Sequence, residues 1–346
     1  MQLSEVLFST WVNPQVHELG ANVEEFLQRL EGPSHIHLYG QERDRCRVVV
    51  TLLHGNEPSG VKAIFESLQR QISPVVDVHI FIMNVKAALL APGFCFRNVP
   101  GWRDLNRCFN DDLDDEPGRL ARALLRAIRL LAPESVIDIH NTSGDGPAFA
   151  VTTHMDSRHD ALVALFTSRV IVTDLRLGAL MEISDVICPT VTIECGGAKS
   201  SAALQVAKQG LYLYFTCVDV LDDPPAKALD FYFNPMRLEL KDKVAGRLHY
   251  QNSPASDGAL TLSPDIERFN FNVVTPSDRL GFLAPDLFRE LTALTAKGHE
   301  MLHHFFTAKD GMLRVKTPLK LFMITSNADI ARSDCLFYFV EVDERG

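Results

Sequence analysis

The stretch VVVTLLHGNE, residues 48 to 57, decides the fold. Its β-branched apolar half is typical of a strand buried on both faces of a sheet. Gly55 allows a sharp turn after the strand, so His54 and Glu57 can face one point. Pro58 suits the first turn of a following helix, where its missing N–H would have no intrahelical partner. The pattern predicts a strand, a turn and a helix, with half of a metal site at the turn.

Further strands and helices alternate along the chain outward from this stretch. Alternation of this kind is typical of an α/β fold with a mixed, largely parallel central sheet flanked by helices. The connection from 84 to 117 is rich in Pro, Gly, Asn and Asp, and loops of that length are usually functional. The predicted strands are 34–38, 47–53, 76–83, 135–139, 148–153, 170–173 and 190–197, and the predicted helices are 20–31, 59–71, 118–131, 158–168 and 200–221.

Residues 222 to 225, Asp-Asp-Pro-Pro, form the best candidate domain boundary. The sequence predicts a catalytic domain over 1–222 and a smaller, β-rich C-terminal domain over 226–346, because the texture beyond the boundary changes to short alternating segments. One late helix is expected near 285–307.

Composition excludes several function classes. With 346 residues and 46% apolar composition, the chain can bury a sizeable core. A formal charge of −10 argues against nucleic-acid binding. No apolar run reaches the length of a membrane span, and the N-terminus lacks signal-peptide character, so a cytoplasmic protein without membrane partners is expected. Seven widely spaced cysteines with no CxxC pair argue against a disulfide framework or a zinc finger. The sequence does not decide between a monomer and a homo-oligomer.

Polar groups stand at the ends of three predicted strands: His54 with Glu57, His140, and Glu194. Ligands of open α/β sheets bind at the carboxyl ends of the strands, so these groups can converge although they are distant in sequence. Two histidines and a glutamate with one open position are a zinc ligand set of hydrolases, and Glu194 could take a proton from water. The combination predicts a hydrolytic site with one Zn²⁺ per chain.

At this point the sequence resembles the succinylglutamate desuccinylase/aspartoacylase family, a branch of the carboxypeptidase A-like zinc hydrolases. The resemblance rests on HGNE at 54–57, DLNR at 104–107, DIHNT at 138–142 and IE at 193–194. It covers the first 220 residues and is weaker beyond them. It implies a zinc carboxypeptidase-like fold with a β-rich C-terminal domain.

The resemblance also implies roles for site residues. His54, Glu57 and His140 would bind zinc, and Glu194 would be the general base. Asp104 would orient the His54 imidazole, because metal-bound imidazoles usually donate their other N–H to a carboxylate. Asn106 and Arg107 would hold a substrate carboxylate. Asn141 is also predicted to bind the substrate.

An upstream arginine polarises the scissile carbonyl in the family, and both Arg97 and Arg103 compete for that role here. We favour Arg97. The family's aspartoacylase-like enzymes also carry an arginine and a tyrosine shortly before the base. Residues 180 to 191 contain neither, and instead hold Glu182 and Asp185. This departure argues against an aspartyl- or succinyl-type substrate.

The rival motif HEMLH, residues 299 to 303, matches the HExxH of zincin proteases. On a helix the two histidines would share a face. Because no third ligand is evident, we interpret the segment as a polar helix face.

The sequence therefore predicts a zinc-dependent amidohydrolase that acts on an N-acyl amino acid or a related small carboxylate substrate. One alternative is a metallocarboxypeptidase acting on short or cell-wall peptides. Another is a non-catalytic binding protein on the same fold.

Overall fold

The computed structural model describes residues 8–222, 228–241, 248–255, 259–283, 285–295, 297–333 and 335–342. The chain divides into two compact units, one formed by residues 1–141 and 148–231 and the other by residues 142–147 and 232–346. Most of the predicted linker, Asp223 to Pro225, lies outside the described residues. The predicted boundary there stays a prediction.

Nine strands of the described chain form one mixed sheet in the order β1-β2-β4-β3-β5-β8-β6-β7-β9. The pairs β1–β2, β3–β4, β3–β5 and β6–β7 are parallel, whereas β2–β4 and β6–β8 are antiparallel. The strands are β1 Ser9–Val12, β2 Ser34–Leu38, β3 Glu42–Thr51, β4 Val76–Ile82, β5 Val136–Thr142, β6 Phe149–Thr152, β7 Arg169–Val172, β8 Thr190–Gly197 and β9 Asp230–Phe233. The predicted mixed central sheet is confirmed.

Helices cover both faces of this sheet. They are α1 Val16–Leu19, α2 Val23–Leu30, α3 Ser59–Gln69, α4 Val85–Leu89, α5 Glu116–Leu131, α6 Ser157–Ala164 and α7 Ser201–Thr216. Val49 packs into a core with α3 and α7, while Val48 and Val50 pack into a second core with α5. The β-branched run of β3 is therefore buried on both faces, as its composition predicts. Helix α4 is a short element inside the connection that was predicted to be a loop.

The second unit is rich in β-structure, as expected. Its described strands form two five-stranded sheets, ordered β13-β18-β19-β10-β15 and β11-β12-β14-β17-β16. The strands are β10 Met236–Leu240, β11 Leu248–Tyr250, β12 Leu260–Leu262, β13 Val273–Val274, β14 Gly281–Phe282, β15 Leu291–Leu294, β16 Phe306–Lys309, β17 Met312–Val315, β18 Leu319–Phe322 and β19 Phe337–Glu341, and the helices are α8 Leu302–Phe305 and α9 Ala328–Ser333.

The long helix predicted near 285–307 is wrong. The segment holds a 3₁₀ turn, Pro285–Glu290, then strand β15 and the short helix α8. Strand β15 pairs antiparallel with β10, and its residues alternate between buried and more exposed positions, which is a strand period and not a helical one. Gly298, with φ of +78°, turns the chain after the strand.

The HExxH segment is consequently not a helix face. His299 lies before α8, and Glu300 is bound by Thr292 Oγ1 at 2.7 Å and by the Leu302 amide at 2.9 Å. His299 and His303 therefore do not stand one turn apart on a common helix. The interpretation of this segment as a polar helix face is wrong, and the geometry that a zincin site needs is absent from these described residues.

Candidate active site

The turn after β3 is held by a close approach of two segments. Leu52 takes a left-handed conformation, with φ of 55°, and its carbonyl oxygen accepts a hydrogen bond from the Asn84 amide at 2.7 Å. A Cβ on Gly55 would lie 2.6 Å from the Cβ of Ala87 and from the Ala88 amide nitrogen. No larger side chain fits there without displacing α4. Glycine at this position thus brings the chain around so that the side chains on either side of it meet.

His54, Glu57 and His140 meet at the ends of β3 and β5. Glu57 Oε1 lies 2.8 Å from His54 Nδ1, and Glu57 Oε2 lies 2.7 Å from His140 Nδ1. All three residues are buried. Their potential ligand atoms lie within 4.8 Å of one another, so the group could hold a metal ion. Two imidazole nitrogens and one carboxylate oxygen are a donor set suited to a divalent transition metal.

A carboxylate supports each of the two imidazoles from behind. His54 Nε2 lies 2.9 Å from Asp104 Oδ1, and His140 Nε2 lies 2.8 Å from Asp138 Oδ2. Metal-binding histidines usually carry such a partner, which selects the tautomer and orients the ring. The sequence pattern predicts this position for Asp104; Asp138 is recognised only as a carboxylate two residues before His140, without the orienting role. The spacing Asp138-x-His140 could have shown it, since residues two apart on a strand share a face.

The charges of the site are interdependent. Burial favours the neutral form of Glu57, but the two imidazoles attract its negative charge and hold its pKa well below the usual range. Burial likewise opposes protonation of His140, yet Asp138 and Glu57 raise its pKa well above the usual value. The site thus concentrates negative charge around two imidazoles. A divalent cation among the three donors would take the place of the shared protons, so the donor set fits a metal.

Glu194 lies on β8, opposite Phe149 of β6. Its Oε2 is buried and has no hydrogen-bond partner among the described residues. Burial raises the pKa of this carboxyl, and Glu57 adds to that rise, while the nearby His140 opposes it; the resulting pKa is about 7. A buried carboxylate oxygen without a partner is costly in a folded protein and is usually explained by function. Its pKa lies where a general base is most effective at neutral pH.

The two candidate arginines lie in different surroundings. Arg97 donates to Asp104 Oδ2 at 2.9 Å through Nη2 and lies 3.4 Å from Glu57 Oε1 through Nη1. Arg103 instead donates two hydrogen bonds to the Asp115 carboxylate, from Nε at 2.6 Å and from Nη2 at 2.9 Å. Its Nη1 donates to Asp111 Oδ2 at 2.7 Å. The structure therefore brings Arg97 to the histidine–glutamate group and ties Arg103 to surface carboxylates. The catalytic role of Arg97 stays a prediction.

The three predicted substrate-binding residues differ in how much hydrogen-bonding capacity they keep. Among the described residues, the Arg107 guanidinium donates only to the Asn106 carbonyl oxygen, at 2.8 Å, so most of its donors remain for a ligand. Asn106 accepts from the Leu180 amide through Oδ1 at 2.9 Å. Asn141 accepts from the Ser59 amide at 3.0 Å and spends both N–H donors on protein atoms, at 2.9 and 2.8 Å. Their roles toward a substrate stay predictions.

The Asn141 side chain ties the strand ends together. Its Nδ2 donates to Ser59 Oγ, at the start of α3, and to the Gly196 carbonyl, two residues beyond Glu194. One buried amide thereby links the segments that follow Glu57, His140 and Glu194. This positioning function is not visible in the sequence, because it depends on the order of the strands in the sheet.

The segment before Glu194 binds its own acidic side chains. Glu182 accepts from the Leu177 amide at 2.6 Å and from the Ala179 amide at 3.0 Å. Asp185 pairs with Arg176, with a nitrogen–oxygen distance of 3.1 Å. Both carboxylates therefore have local structural partners. The arginine and tyrosine that the resemblance leads one to expect between 180 and 191 are absent from the sequence.

The chain resembles solved structures of one enzyme family. The succinylglutamate desuccinylase/aspartoacylase from Rhodobacter sphaeroides aligns with a TM-score of 0.55 and 15% identity, over 91% of this chain and 89% of that one. Murine aminoacylase 3 aligns with a TM-score of 0.55 and 17% identity, over 88% of this chain and 98% of that one. The fold is therefore the one found in structures of the succinylglutamate desuccinylase/aspartoacylase family.

No family model matches the sequence, and no curated protein matches it. At identities this low the structural likeness establishes the fold alone. Among the described residues, no helix combines the length and the apolar character needed to cross a membrane.

Proposed function

We propose that this protein is a zinc-dependent amidohydrolase that removes the acyl group from an N-acyl amino acid or a related small carboxylate substrate. One observation carries the proposal: two imidazoles converge on Glu57, each with a carboxylate behind it, while Glu194 keeps a buried carboxylate oxygen without a partner. Its fold neighbours, named for desuccinylase, aspartoacylase and aminoacylase activities, support the reaction class.

His54, Glu57 and His140 would hold the zinc ion, with one ion per chain. When bound, zinc supplies a Lewis acid that polarises a carbonyl and lowers the pKa of water to about 7. Asp104 and Asp138, at 2.9 and 2.8 Å from the Nε2 atoms of His54 and His140, orient the two imidazoles that would hold the ion.

Glu194 acts as the proton carrier. It accepts a proton from water as the water oxygen bonds to the amide carbonyl carbon, and its otherwise partnerless oxygen is the accepting atom. The same carboxyl then donates the proton to the amide nitrogen as the carbon–nitrogen bond breaks, which releases a carboxylic acid and an amine.

Arg97 and Arg107 supply the positive charge that the substrate needs. Arg97, beside Glu57, donates to the carbonyl oxygen as negative charge develops on it. Arg107 has free guanidinium donors and binds the substrate carboxylate, for which a guanidinium offers matched paired donors. The absence of an arginine and a tyrosine between 180 and 191 favours a neutral acyl group over a succinyl group or an aspartyl moiety.

A substrate panel tests this function. Zinc-loaded protein is incubated with amino acids carrying acetyl, succinyl and longer acyl groups, and with short peptides, and amine release is measured. We expect release from N-acyl amino acids that is lost on chelation of zinc and in His54→Ala. Release from peptides alone would support the carboxypeptidase alternative. Binding of the panel without any release would support a non-catalytic protein.

A further inference from the structure

A second group of potential metal ligands lies in the sheet, on the side of β4 away from β3. We call His37, Asp77 and His79 the edge cluster. His37 stands on β2 and the other two on β4, and His37 is directly opposite His79 in the antiparallel register. Asp77 and His79 share a face because they are two residues apart on one strand. One potential ligand atom from each lies within 4.8 Å of the others.

Asp77 is arranged so that one of its oxygens is held by the protein and the other faces the cluster. Oδ1 accepts from the Gly40 amide at 2.8 Å and lies 3.4 Å from Arg43 Nε. Oδ2 lies 2.8 Å from His37 Nε2. The side chain is buried, with 8% of its surface exposed, so its orientation is set by these contacts. A carboxylate anchored through one oxygen presents the other as a single ligand.

His79 is supported in the same manner as the histidines of the hydrolytic site. Its Nδ1 lies 2.9 Å from Nε2 of His35, the neighbouring histidine on β2. Both of these histidines are buried. A hydrogen bond at Nδ1 fixes the ring and leaves Nε2 as the nitrogen for a ligand, which is the common arrangement of metal-binding histidines.

We propose that His37, Asp77 and His79 form a second metal site that takes a divalent transition-metal ion such as zinc. Two imidazoles and one carboxylate suit such ions, whereas magnesium and calcium prefer oxygen ligands alone. An ion bound here would take the place of the hydrogen bond between His37 Nε2 and Asp77 Oδ2. His37 is 19% exposed, which leaves a route for the ion and a position for a water ligand.

Binding requires one local adjustment. The rings of His37 and His79 are stacked, with centroids 4.1 Å apart and planes 23° from parallel, so their lone pairs do not yet point to one place. Rotation of the more exposed His37 ring brings its nitrogen toward the ion while Asp77 and His79 keep their anchored orientations. The bound ion then joins β2 to β4 and stabilises the folded protein, since it binds the folded chain and not the unfolded one.

The edge cluster is separate from the hydrolytic site. His79 pairs with Val48, which lies three residues before the end of β3, and the HGNE turn follows that end. At about 3.3 Å per residue, this places His79 about 10 Å back along the sheet from the end of β3. Each group of ligands can therefore be removed without removing the other.

Metal stoichiometry tests the proposal. Protein stripped with a chelator is dialysed against micromolar zinc, and bound zinc per chain is measured by elemental analysis. We expect two equivalents in the wild type, one in His37→Gln and one in His54→Ala. His303→Gln, which changes an exposed histidine of the second unit, should retain two. Titration with Co²⁺, followed by its visible absorption, should show the same stoichiometries.

Thermal melts add a second readout, in which zinc should raise the Tm of His54→Ala but not that of His54→Ala/His37→Gln. Zinc content in His37→Gln equal to that of the wild type would overturn the proposal, whether the wild type holds one equivalent or two. Asp77→Asn provides a second variant, with circular dichroism to check its folding. Because metal content is measured without substrate, this result is independent of whether the proposed hydrolysis is found.

Discussion

Replacing Asp138 by asparagine should weaken metal binding at the hydrolytic site without unfolding the protein. Asp138 is fully buried, and its Oδ2 lies 2.8 Å from His140 Nε2. Asparagine has nearly the same shape but no charge. It therefore leaves the packing of β5 intact and removes the negative charge that makes the imidazole a better ligand.

The size of the effect follows from this contact. A buried hydrogen bond to a charged group contributes about 1.5–3 kcal/mol. If that energy is realised only when His140 holds the metal in the correct tautomer, its loss corresponds to a rise in the zinc Kd of about 10- to 100-fold. The only other described contact of this carboxylate, with Thr192 Oγ1 at 3.4 Å, is too long to compensate.

Competition with a chromogenic zinc chelator measures this Kd, and circular dichroism confirms the fold. Asp156→Asn is the matched control, because Asp156 Oδ2 lies at the same 2.8 Å from a histidine, His159, in the same unit and outside the ligand group. We expect its zinc affinity to equal that of the wild type. A folded Asp138→Asn protein with wild-type affinity would refute the assignment of Asp138 as the partner that orients His140.

Three further predictions concern charge. Arg97→Met should lower kcat/KM by about 100-fold or more, as removal of one donor to a developing oxyanion does. Arg103→Met should change kcat/KM little. Equal effects of the two substitutions in steady-state assays would contradict the assignment of Arg97 as the residue that polarises the carbonyl. Arg47 is buried and pairs with Glu134, which the more exposed Arg45 also contacts. Arg47→Met should therefore lower the free energy of unfolding by about 3–5 kcal/mol, whereas Arg45→Met should lower it by about 1 kcal/mol or less. Urea denaturation measures both values. In metal-free protein the pKa of Glu194 is raised to about 7 in the folded state, so its contribution to stability is full below the unfolded pKa and is lost as pH rises through 7. In chelated protein, the free energy of unfolding of Glu194→Gln should therefore increase relative to that of the wild type between pH 5 and pH 8. A difference that stays constant with pH in urea denaturation would contradict the raised pKa.

The sheet of the first unit was predictable because its central strands are buried on both faces. The run before His54 is apolar without alternation and ends in a turn, which is the pattern of a strand buried on both faces. Strands β2 and β8 have the predicted bounds, Ser34–Leu38 and Thr190–Gly197. Here local composition and long-range pairing favour the same structure.

Local composition was a poor guide in the second unit. Residues 285 to 307 are rich in Leu, Ala, Phe and His, which suits a helix, yet Leu291–Leu294 pairs with a strand about fifty residues earlier. That pairing buries Leu291 and Ala293, and it outweighs the intrinsic helix preference of the segment. Periodicity over only four residues was too short to reveal it.

The candidate site likewise has features that local sequence predicts and features that depend on the tertiary structure. His54 and Glu57 are local, and their spacing alone predicted that they could face one point. The meeting with His140 depends on the parallel pairing of β3 with β5, which the rule for strand ends anticipates. Two features depend on atomic positions that no motif contains. Both N–H donors of the Asn141 amide bind protein atoms, and Glu194 Oε2 has no hydrogen-bond partner among the described residues.

Turnover by Glu194→Gln, measured on samples whose zinc content is determined in parallel, tests the central claim most directly. We expect one zinc at the hydrolytic site, as in the wild type, and loss of amine release by about a hundredfold to ten-thousandfold, because the ligands are intact and the proton carrier is gone. Amine release at the wild-type rate by zinc-loaded Glu194→Gln would contradict it.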